Sequence, residues 1–302
     1  MKELVKITIS LTAVCVAAAV ILGVVFAKTD HARKVNEEKM KDETIKGLLG
    51  FGGTTAPPED LKIFAISRYV IRDPRGQVTL GYAIPLKEKG FTLLQLDLSG
   101  KPLAKYSLAV TPEQLAEESS REQVVEAVLP KGSKATYAET LYFANRGGTR
   151  LGYVVPGKTQ GFKTFVKFMV SLDPDFTVTG IAITESEEDP GLGAEIQQDY
   201  FRNQFVGKTQ DILKNLKVVK EPIPEDYLEV LDPAKAKKKG LSPDKIREVK
   251  QRHLKDDIYA LTGATISTVA VTNGVKNTVR KFVYRLGIMN EAIKAENISA
   301  AF

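Results

Sequence analysis

The sequence predicts an α+β protein: a single N-terminal transmembrane helix followed by a β-rich domain with a duplicated β-unit and peripheral helices. Three observations predict this class. An uncharged apolar run lies near the N-terminus, a twelve-residue motif occurs twice in β-prone surroundings, and an amphipathic helical pattern lies near the C-terminus. The 302 residues are 43% hydrophobic and 26% charged, which is typical of globular proteins.

The transmembrane helix is predicted from residues 7–27, which contain no charge. Twenty-one residues at a rise of ~1.5 Å each span the ~30 Å of a hydrocarbon core. The run is long for a cleaved signal peptide, and Phe26-Ala27-Lys28 is a poor cleavage site, so we interpret residues 1–27 as a retained anchor. Positive charges flank the run on both sides and therefore do not set its orientation.

Residues 28–58 are predicted to form a juxtamembrane helix and a linker. Positions 30–49 are polar and helix-prone, whereas Gly50, Gly52, Gly53 and the pair Pro57-Pro58 interrupt regular structure. The β-rich part of the chain is expected to begin after this linker.

The duplicated β-unit is predicted from an internal repeat. Residues 80–91 (LGYAIPLKEKGF) and 151–162 (LGYVVPGKTQGF) share seven of twelve positions at an offset of 71. β-prone runs precede and follow each copy, so we expect a first β-rich unit over 59–139 and a second over 140–302. Two copies are too few for a solenoid, and the sheets should pack side by side or face to face.

The second unit continues with elements that have no counterpart in the first. A hairpin is predicted over 165–172 and 176–183, followed by a helix over 194–205. Residues 206–256 are polar, interrupted by proline and rich in lysine, and we interpret them as an excursion from the fold. A helix over 267–286 closes the domain, and Gly287 is expected to end it.

Composition excludes several kinds of site. One cysteine, Cys15, and two histidines, His31 and His253, are too few for an iron–sulfur cluster or a structural zinc ion. We predict no metal site, and any electron carrier should be organic. The net charge of +6 comes from dispersed lysines without a recognition module, so we do not expect nucleic acid as a partner.

The chemistry of the chain is expected at Thr262-Gly263-Ala264-Thr265, directly before the closing helix. The glycine permits close backbone approach, and a helix N-terminus offers unpaired N–H groups that suit a phosphate. The alternative is a structural turn in which Ser267 or Thr268 caps the helix. The residues by themselves favour this alternative.

Two motifs resemble signatures of the FMN-binding domain family. Thr262–Thr265 resembles its (S/T)GAT flavinylation motif, and Glu188-Asp189-Pro190-Gly191-Leu192-Gly193 resembles its ETPGLG motif. Gly152-Tyr153-Val154-Val155 is similar to the start of the family's core. The chain departs from the family at Asp189, where a Thr is usual, and at Tyr259, where the flavin transferase usually meets an Asp.

The resemblance implies covalent FMN, joined to Thr265 through a phosphoester. It places the other cofactor contacts at Thr262, Gly263, Ala264, Glu188, Asp189, Gly191, Leu192 and Gly193. The chain would have no catalytic residue of its own and would need a flavin transferase to mature. The alternative for 190–193 is a plain connector between hairpin and helix.

The family includes the G subunit of the Rnf complex and the C subunit of the sodium-translocating NADH:quinone oxidoreductase. The resemblance implies an electron-transfer subunit of an Rnf-type translocase that couples ferredoxin and NAD to ion movement. The equivalent quinone-reductase subunit is one alternative, and a cofactor-free membrane-anchored scaffold or regulator is another. Other membrane and electron-transfer subunits and membrane lipid are the expected partners. The anchor would lie in the cytoplasmic membrane, with the soluble domain on its periplasmic side.

Overall fold

The computed structural model describes residues 1–52 and 55–302, without the side chains of positions 27 and 31. Gly53, part of the predicted linker, lies outside the described residues. The chain divides into two compact units, Met1–Gly47 and Leu48–Phe302.

Helix α1 runs over Lys2–Leu48. Its most apolar 18-residue window has a mean hydropathy of 2.7, so the helix is long and apolar enough to cross a membrane. Ion pairs at helical spacing follow in its polar half, including Arg33–Glu37 and Lys46–Asp42. The predicted anchor and the predicted juxtamembrane helix are therefore one continuous helix.

An antiparallel sheet forms the centre of the second unit. Its strands in the described residues are β1 Leu61–Arg72, β2 Val78–Pro85, β3 Phe91–Leu96, β4 Pro102–Leu108, β5 Lys134–Arg146, β6 Thr149–Gln160, β7 Phe165–Leu172 and β8 Val178–Glu185. Their order across the sheet is β4-β3-β2-β1-β5-β6-β7-β8. Each repeat thus contributes a four-stranded meander.

The two repeats lie side by side and form one sheet through the antiparallel pair β1–β5. This is one of the two arrangements expected from the sequence, and the α+β class is confirmed. The expected boundary between residues 139 and 140 falls inside β5. The β-rich units are therefore two halves of a single sheet.

Helices α2 (Pro112–Ala116) and α3 (Arg121–Glu126) follow the first meander. A capping box starts α2, in which the Thr111 hydroxyl and the Gln114 side chain bond each other's backbone N–H groups. An apolar cluster that includes Phe91, Leu93 and Val125 joins these helices to the first repeat. The first repeat was predicted as β-rich, and neither helix was foreseen.

Between β8 and the closing helix the chain forms short elements. They are a 3₁₀ turn Gly193–Gln197, α4 Asp199–Arg202, a 3₁₀ turn Asn203–Phe205, α5 Gln210–Asn215, β9 Val218–Val219, α6 Glu225–Leu231, α7 Pro233–Lys238, α8 Pro243–Arg252 and β10 Ile258–Tyr259. The continuous helix predicted over 194–205 is wrong, because Gln198 is extended at ψ 147° and separates two turns. The excursion over 206–256 has a small apolar core of its own, built on Tyr227, Leu231 and Val249.

Helix α9 spans Thr265–Ala295 and packs mainly on β6. Its buried stripe continues beyond the predicted end through Met289 and Ala292. Gly287 does not end the helix, because burial of the last turns outweighs the ~1 kcal/mol that a helical glycine costs. At Gly274 an added Cβ would come within 3.0 Å of Phe168 and Thr159, so the glycine permits close approach of α9 to the sheet.

The segment after α9 returns to the first repeat. Ala300 forms a β-bridge with Leu86, and the Ala301 N–H donates to the Pro85 carbonyl at 2.9 Å. The ring of Phe302 meets that of Phe143 edge-on, with 4.7 Å between centroids. This segment therefore links β2, in the first repeat, to core residues of the second repeat.

Candidate functional site

The turn before α9 is tied together by Thr268. Its Oγ1 accepts from the Leu261 N–H at 3.1 Å and donates to the Ala264 carbonyl at 3.0 Å. The residue at the cap position is Ala264, which has no side chain able to cap. Neither Ser267 nor Thr268 is therefore the N-cap of α9, although Thr268 has a structural role in the turn.

Thr265 is the first residue of α9. Among the described residues, the N–H groups of Thr265, Ile266 and Ser267 and the Thr265 hydroxyl have no hydrogen-bond partner. The N-terminus of a 31-residue helix concentrates positive potential at these amides. The first turn can therefore receive an anionic oxygen group directly beside a hydroxyl that remains available.

Glu188 connects the 188–193 motif to the start of α9, which begins at the last residue of the Thr262–Thr265 motif. Glu188 is 6% exposed. Its Oε1 accepts from the N–H groups of Phe162 (2.9 Å) and Lys163 (3.2 Å), and Oε2 accepts from the Ser267 hydroxyl. A Cβ on Gly193 would come 2.6 Å from Oε2, so only glycine fits there without a shift. Glu188 thus joins the β6–β7 turn, the 188–193 loop and the start of α9.

The 188–193 loop is in direct contact with residues 262–265, here called the threonine turn. Gly263 has φ +74°, and a Cβ there would come 2.8 Å from Leu192 Cδ2. The Asp189 carbonyl accepts from the N–H groups of Leu192 and Ala194, while its carboxylate pairs with Lys163 at 2.5 Å. That ion pair raises the pKa of Lys163, and its two side chains together carry no net charge. The loop is held as a compact turn against Gly263.

Thr265 lines two cavities. The smaller cavity has a volume of about 360 Å³ and is lined by all the sequence-predicted residues except Thr262 and Gly191. The larger has a volume of about 780 Å³ and is lined by Thr262 and Gly191, together with Gly263 and Thr265. The excursion supplies one wall of the larger cavity through Lys220, Glu221, Pro222, Ile223, Leu228 and Lys235. The pairing of β9 with β10 fixes this wall beside the turn that precedes α9, because the chain passes from β10 directly into that turn.

Sequence reasoning missed two apolar residues of the smaller cavity, Phe162 and Ile266. Their side chains are 61% and 58% exposed. Phe91, the counterpart of Phe162 in the first repeat, is only 8% exposed and packs in the core beside α2 and α3. The repeat alignment names Phe162, but only the tertiary structure distinguishes its open environment from the covered one of Phe91.

Tyr259, where the family usually has an acid, is buried. Its hydroxyl donates to Asp256 Oδ2 at 2.9 Å, and its N–H donates to Gln204 at 2.8 Å. Burial and the contact with Asp256 raise the pKa of Tyr259 to about 12. Asp257 Oδ1 accepts from the Lys217 N–H at 2.8 Å. The nearby carboxylates of Asp256 and Asp257 are therefore both engaged within the fold.

Comparison with known proteins bears on this site. The model of the FMN-binding domain family matches residues 161–280. The G subunit of the proton-translocating ferredoxin:NAD(+) oxidoreductase complex of Clostridium ljungdahlii is 31% identical over 151 residues, which cover 50% of this chain and 64% of that protein. The G subunit of the Na(+)-translocating ferredoxin:NAD(+) oxidoreductase complex of Acetobacterium woodii is 29% identical over 143 residues, covering 47% and 54%.

The C subunit of the Na(+)-translocating NADH-quinone reductase of Yersinia pestis is 34% identical over 104 residues, which cover 34% of each chain. The aligned regions span less than two thirds of the length of these relatives. The family match includes the 188–193 loop, the excursion, the threonine turn and the first half of α9. Residues 161–280 of this chain therefore form a domain that belongs to the FMN-binding domain family.

Proposed function

We propose that this chain carries FMN as a phosphoester on Thr265 and relays electrons as one subunit of a membrane-bound, Rnf-type complex. The complex would couple electron transfer between ferredoxin and NAD to ion translocation. One observation carries the proposal: the available Thr265 hydroxyl lies beside N–H groups that have no partner among the described residues, at the start of a long helix, and it lines two cavities.

The residues at the site fit the phosphate end of FMN. The N–H groups of Thr265, Ile266 and Ser267 would donate to its oxygens, and the α9 dipole favours their negative charge. Attachment would form a bond from Thr265 Oγ1 to phosphorus and release AMP from FAD, with loss of the hydroxyl proton. A flavin transferase would catalyse this exchange, which leaves the ring system unmodified.

The smaller cavity fits an apolar ring system. Phe162, Leu192 and Ile266 present exposed apolar surface within one cavity beside Thr265. Bound FMN supplies one-electron chemistry, and these side chains would orient its ring and exclude water from one side. Glu188 would act as a positioning residue, because its carboxylate is directed into the protein and bonded to three donors. Asp189 would add little net charge near the ring because Lys163 neutralises it.

The similarity to the G subunits of ferredoxin:NAD(+) oxidoreductase complexes supports the Rnf-type assignment. It extends over a longer part of the chain than the similarity to the C subunit of the quinone reductase does. The equivalent subunit of a sodium-translocating NADH:quinone oxidoreductase is the second candidate. Other membrane and electron-transfer subunits would be the redox partners in either case. We further propose that the cofactor is held by the second of the two predicted β-rich units, 140–302, and not by the first, 59–139.

The proposed location is the cytoplasmic membrane. Helix α1 would cross it once, with the N-terminus in the cytoplasm and the soluble domain on the periplasmic side. A C-terminal reporter that is active only in the cytoplasm would contradict this topology.

Production of the chain with and without a flavin transferase tests the cofactor assignment. With the transferase, the denatured band should keep acid-stable flavin fluorescence, and a peptide containing Thr265 should carry the mass of FMN. Absence of flavin from protein made beside an active transferase would instead support the cofactor-free scaffold.

A further inference from the structure

A third cavity lies where the two repeats meet below α9. It has a volume of about 230 Å³ and shares no lining residue with the cavities at Thr265. β1, β5, β6 and α9 all contribute to its lining. Its charged lining residues are Arg68, Lys158, Lys281, Arg285 and Glu139.

One carboxylate oxygen serves both arginines. Glu139 Oε1 accepts from Arg68 Nε at 2.7 Å and from Arg285 Nη1 at 2.6 Å. The side chains of Arg68, Glu139 and Arg285 are 12%, 18% and 29% exposed, so the group is largely withdrawn from solvent. Each guanidinium uses one of its five N–H donors in these bonds, and its other four donors have no acceptor among the described residues.

The cavity holds more positive charge than the internal pairing needs. The arginines and Glu139 sum to one positive charge, and the two lysines raise the total to three. Lys281 has no ion pair among the described residues, and the Lys158 ammonium lies 3.8 Å from the ring centroid of Phe165. A contact that braces β1, β5 and α9 needs Arg68, Glu139 and Arg285, and it is complete without Lys158 and Lys281. The additional cations create a field that attracts an anion.

We propose that this cavity binds a phosphate or phosphomonoester group. The volume suits a small anion with some of its water. Guanidinium groups match phosphate oxygens through paired N–H donors, and a dianion suits the surplus of charge better than a carboxylate does. The group could come from free phosphate or from the headgroup of an anionic lipid, and this chemistry is common to both sources.

Calorimetric titration of the full-length chain in a nonionic maltoside detergent tests the proposal. The protein carries Thr265→Ala, so that the flavin site contributes no phosphate, and chloride keeps the ionic strength constant. Inorganic phosphate should bind at one saturable site. Lys281→Gln should weaken binding about fivefold, while Arg280→Gln, which removes the adjacent charge of the same helix outside this cavity, should not.

Glu139→Gln gives the sharpest comparison. The amide oxygen still accepts hydrogen bonds but no longer competes as an anion, so phosphate should bind about fivefold more tightly. Circular dichroism melts establish that each variant is folded. Absence of a saturable site, equal losses in the two helix variants, or weaker binding by Glu139→Gln would each overturn the proposal.

Short-chain lipids distinguish the sources. Dihexanoyl phosphatidic acid that binds more tightly than phosphate, with no binding of dihexanoyl phosphatidylcholine, would support the proposal and identify a lipid headgroup. Equal affinity for phosphate and phosphatidic acid would support it and identify free phosphate. Equal binding of both lipids would show that the acyl chains are recognised, and would contradict it.

Discussion

Arg68 and Glu139 occupy equivalent positions of the two repeats, 71 residues apart, and they face each other across the β1–β5 pair. Arg68 Nε lies 2.7 Å from Glu139 Oε1. Exchange of the two repeats maps this pair onto itself, so the local two-fold axis of the sheet passes between the two residues. The contact has the geometry of an isologous interface, but its two halves have diverged into opposite charges.

The pairing predicts an unequal effect of two substitutions. Arg68→Ala leaves Glu139 bonded to Arg285, whereas Glu139→Ala leaves two partly buried guanidiniums without a carboxylate. We expect Glu139→Ala to lower the free energy of unfolding by about 1–2 kcal/mol, and Arg68→Ala by less. Thermal unfolding followed by circular dichroism measures both. The reverse order would show that Arg285 does not share the carboxylate in solution.

Thr265→Ala should abolish covalent flavin while the chain still folds. The hydroxyl has no intramolecular hydrogen bond among the described residues, so its loss should cost well under ~1 kcal/mol. Thr262→Ala is the matched control in the same turn and should keep the adduct. In-gel flavin fluorescence and thermal melts together provide the test. Flavin retained on Thr265→Ala protein would move the attachment site.

Phe162 and Phe91 provide a matched pair of truncations at equivalent positions. Phe162→Ala should shift the flavin's redox potential or absorption with little loss of stability, because the side chain is mostly exposed. Phe91→Ala should cost about 3–5 kcal/mol and leave the flavin spectrum of the folded fraction unchanged. Spectroelectrochemistry and melting curves measure the two effects. Equal loss of stability in both variants would assign Phe162 to the core.

Gly193→Ala should disturb the site through Glu188. The new Cβ would lie 2.6 Å from Oε2, so the carboxylate must move away from Ser267, at a cost of about 1–3 kcal/mol. Flavin incorporation should fall as the 188–193 loop shifts. Gly191→Ala is the control: its backbone strain costs about 1 kcal/mol. Apart from its chain neighbours, no described residue has a heavy atom within 4 Å of the added methyl. A larger loss of flavin in Gly191→Ala would contradict the proposed role of Glu188.

Lys208 should make stability depend on pH in the alkaline range. The side chain is buried, and its ammonium donates to the Leu254 and Asp256 carbonyls. Burial lowers the pKa of Lys208 from 10.5 to about 8. Between these values the unfolded chain binds more protons than the folded one, so the unfolding free energy should rise with pH from about 8 to 10.5.

Lys208→Met should remove that part of the slope, at the cost of two carbonyls without their donor. Melting curves of both proteins across the same pH range isolate the contribution, because other titrating groups are common to the pair. Parallel curves would show that the two carbonyl contacts keep the pKa of Lys208 near its ordinary value.

Local pattern predicted the repeated strands and the helix that follows the threonine turn. Tyr82 and Tyr153 are equivalent in the repeat, and both are buried in the sheet. The break at Gln198 depends on packing that residue periodicity does not include. The continuation of α9 was missed because Gly287 was interpreted as a stop, although the apolar spacing continues through Met289 and Ala292. The wall formed by Lys220 and Lys235 depends on the β9–β10 pairing, which joins two dipeptides far apart in the chain. Such short strands have no sequence signal of their own.

The bridge between Leu86 and Ala300 has a kinetic consequence. It joins the residue after β2 to the segment beyond α9, so this contact can form only after nearly the whole domain has come together. Contacts between such distant parts of a chain slow folding, because the entropy of closing the loop is lost before the contact forms. We therefore expect a refolding phase slower than hairpin formation, during which the repeats form early and the threonine turn acquires its final geometry late.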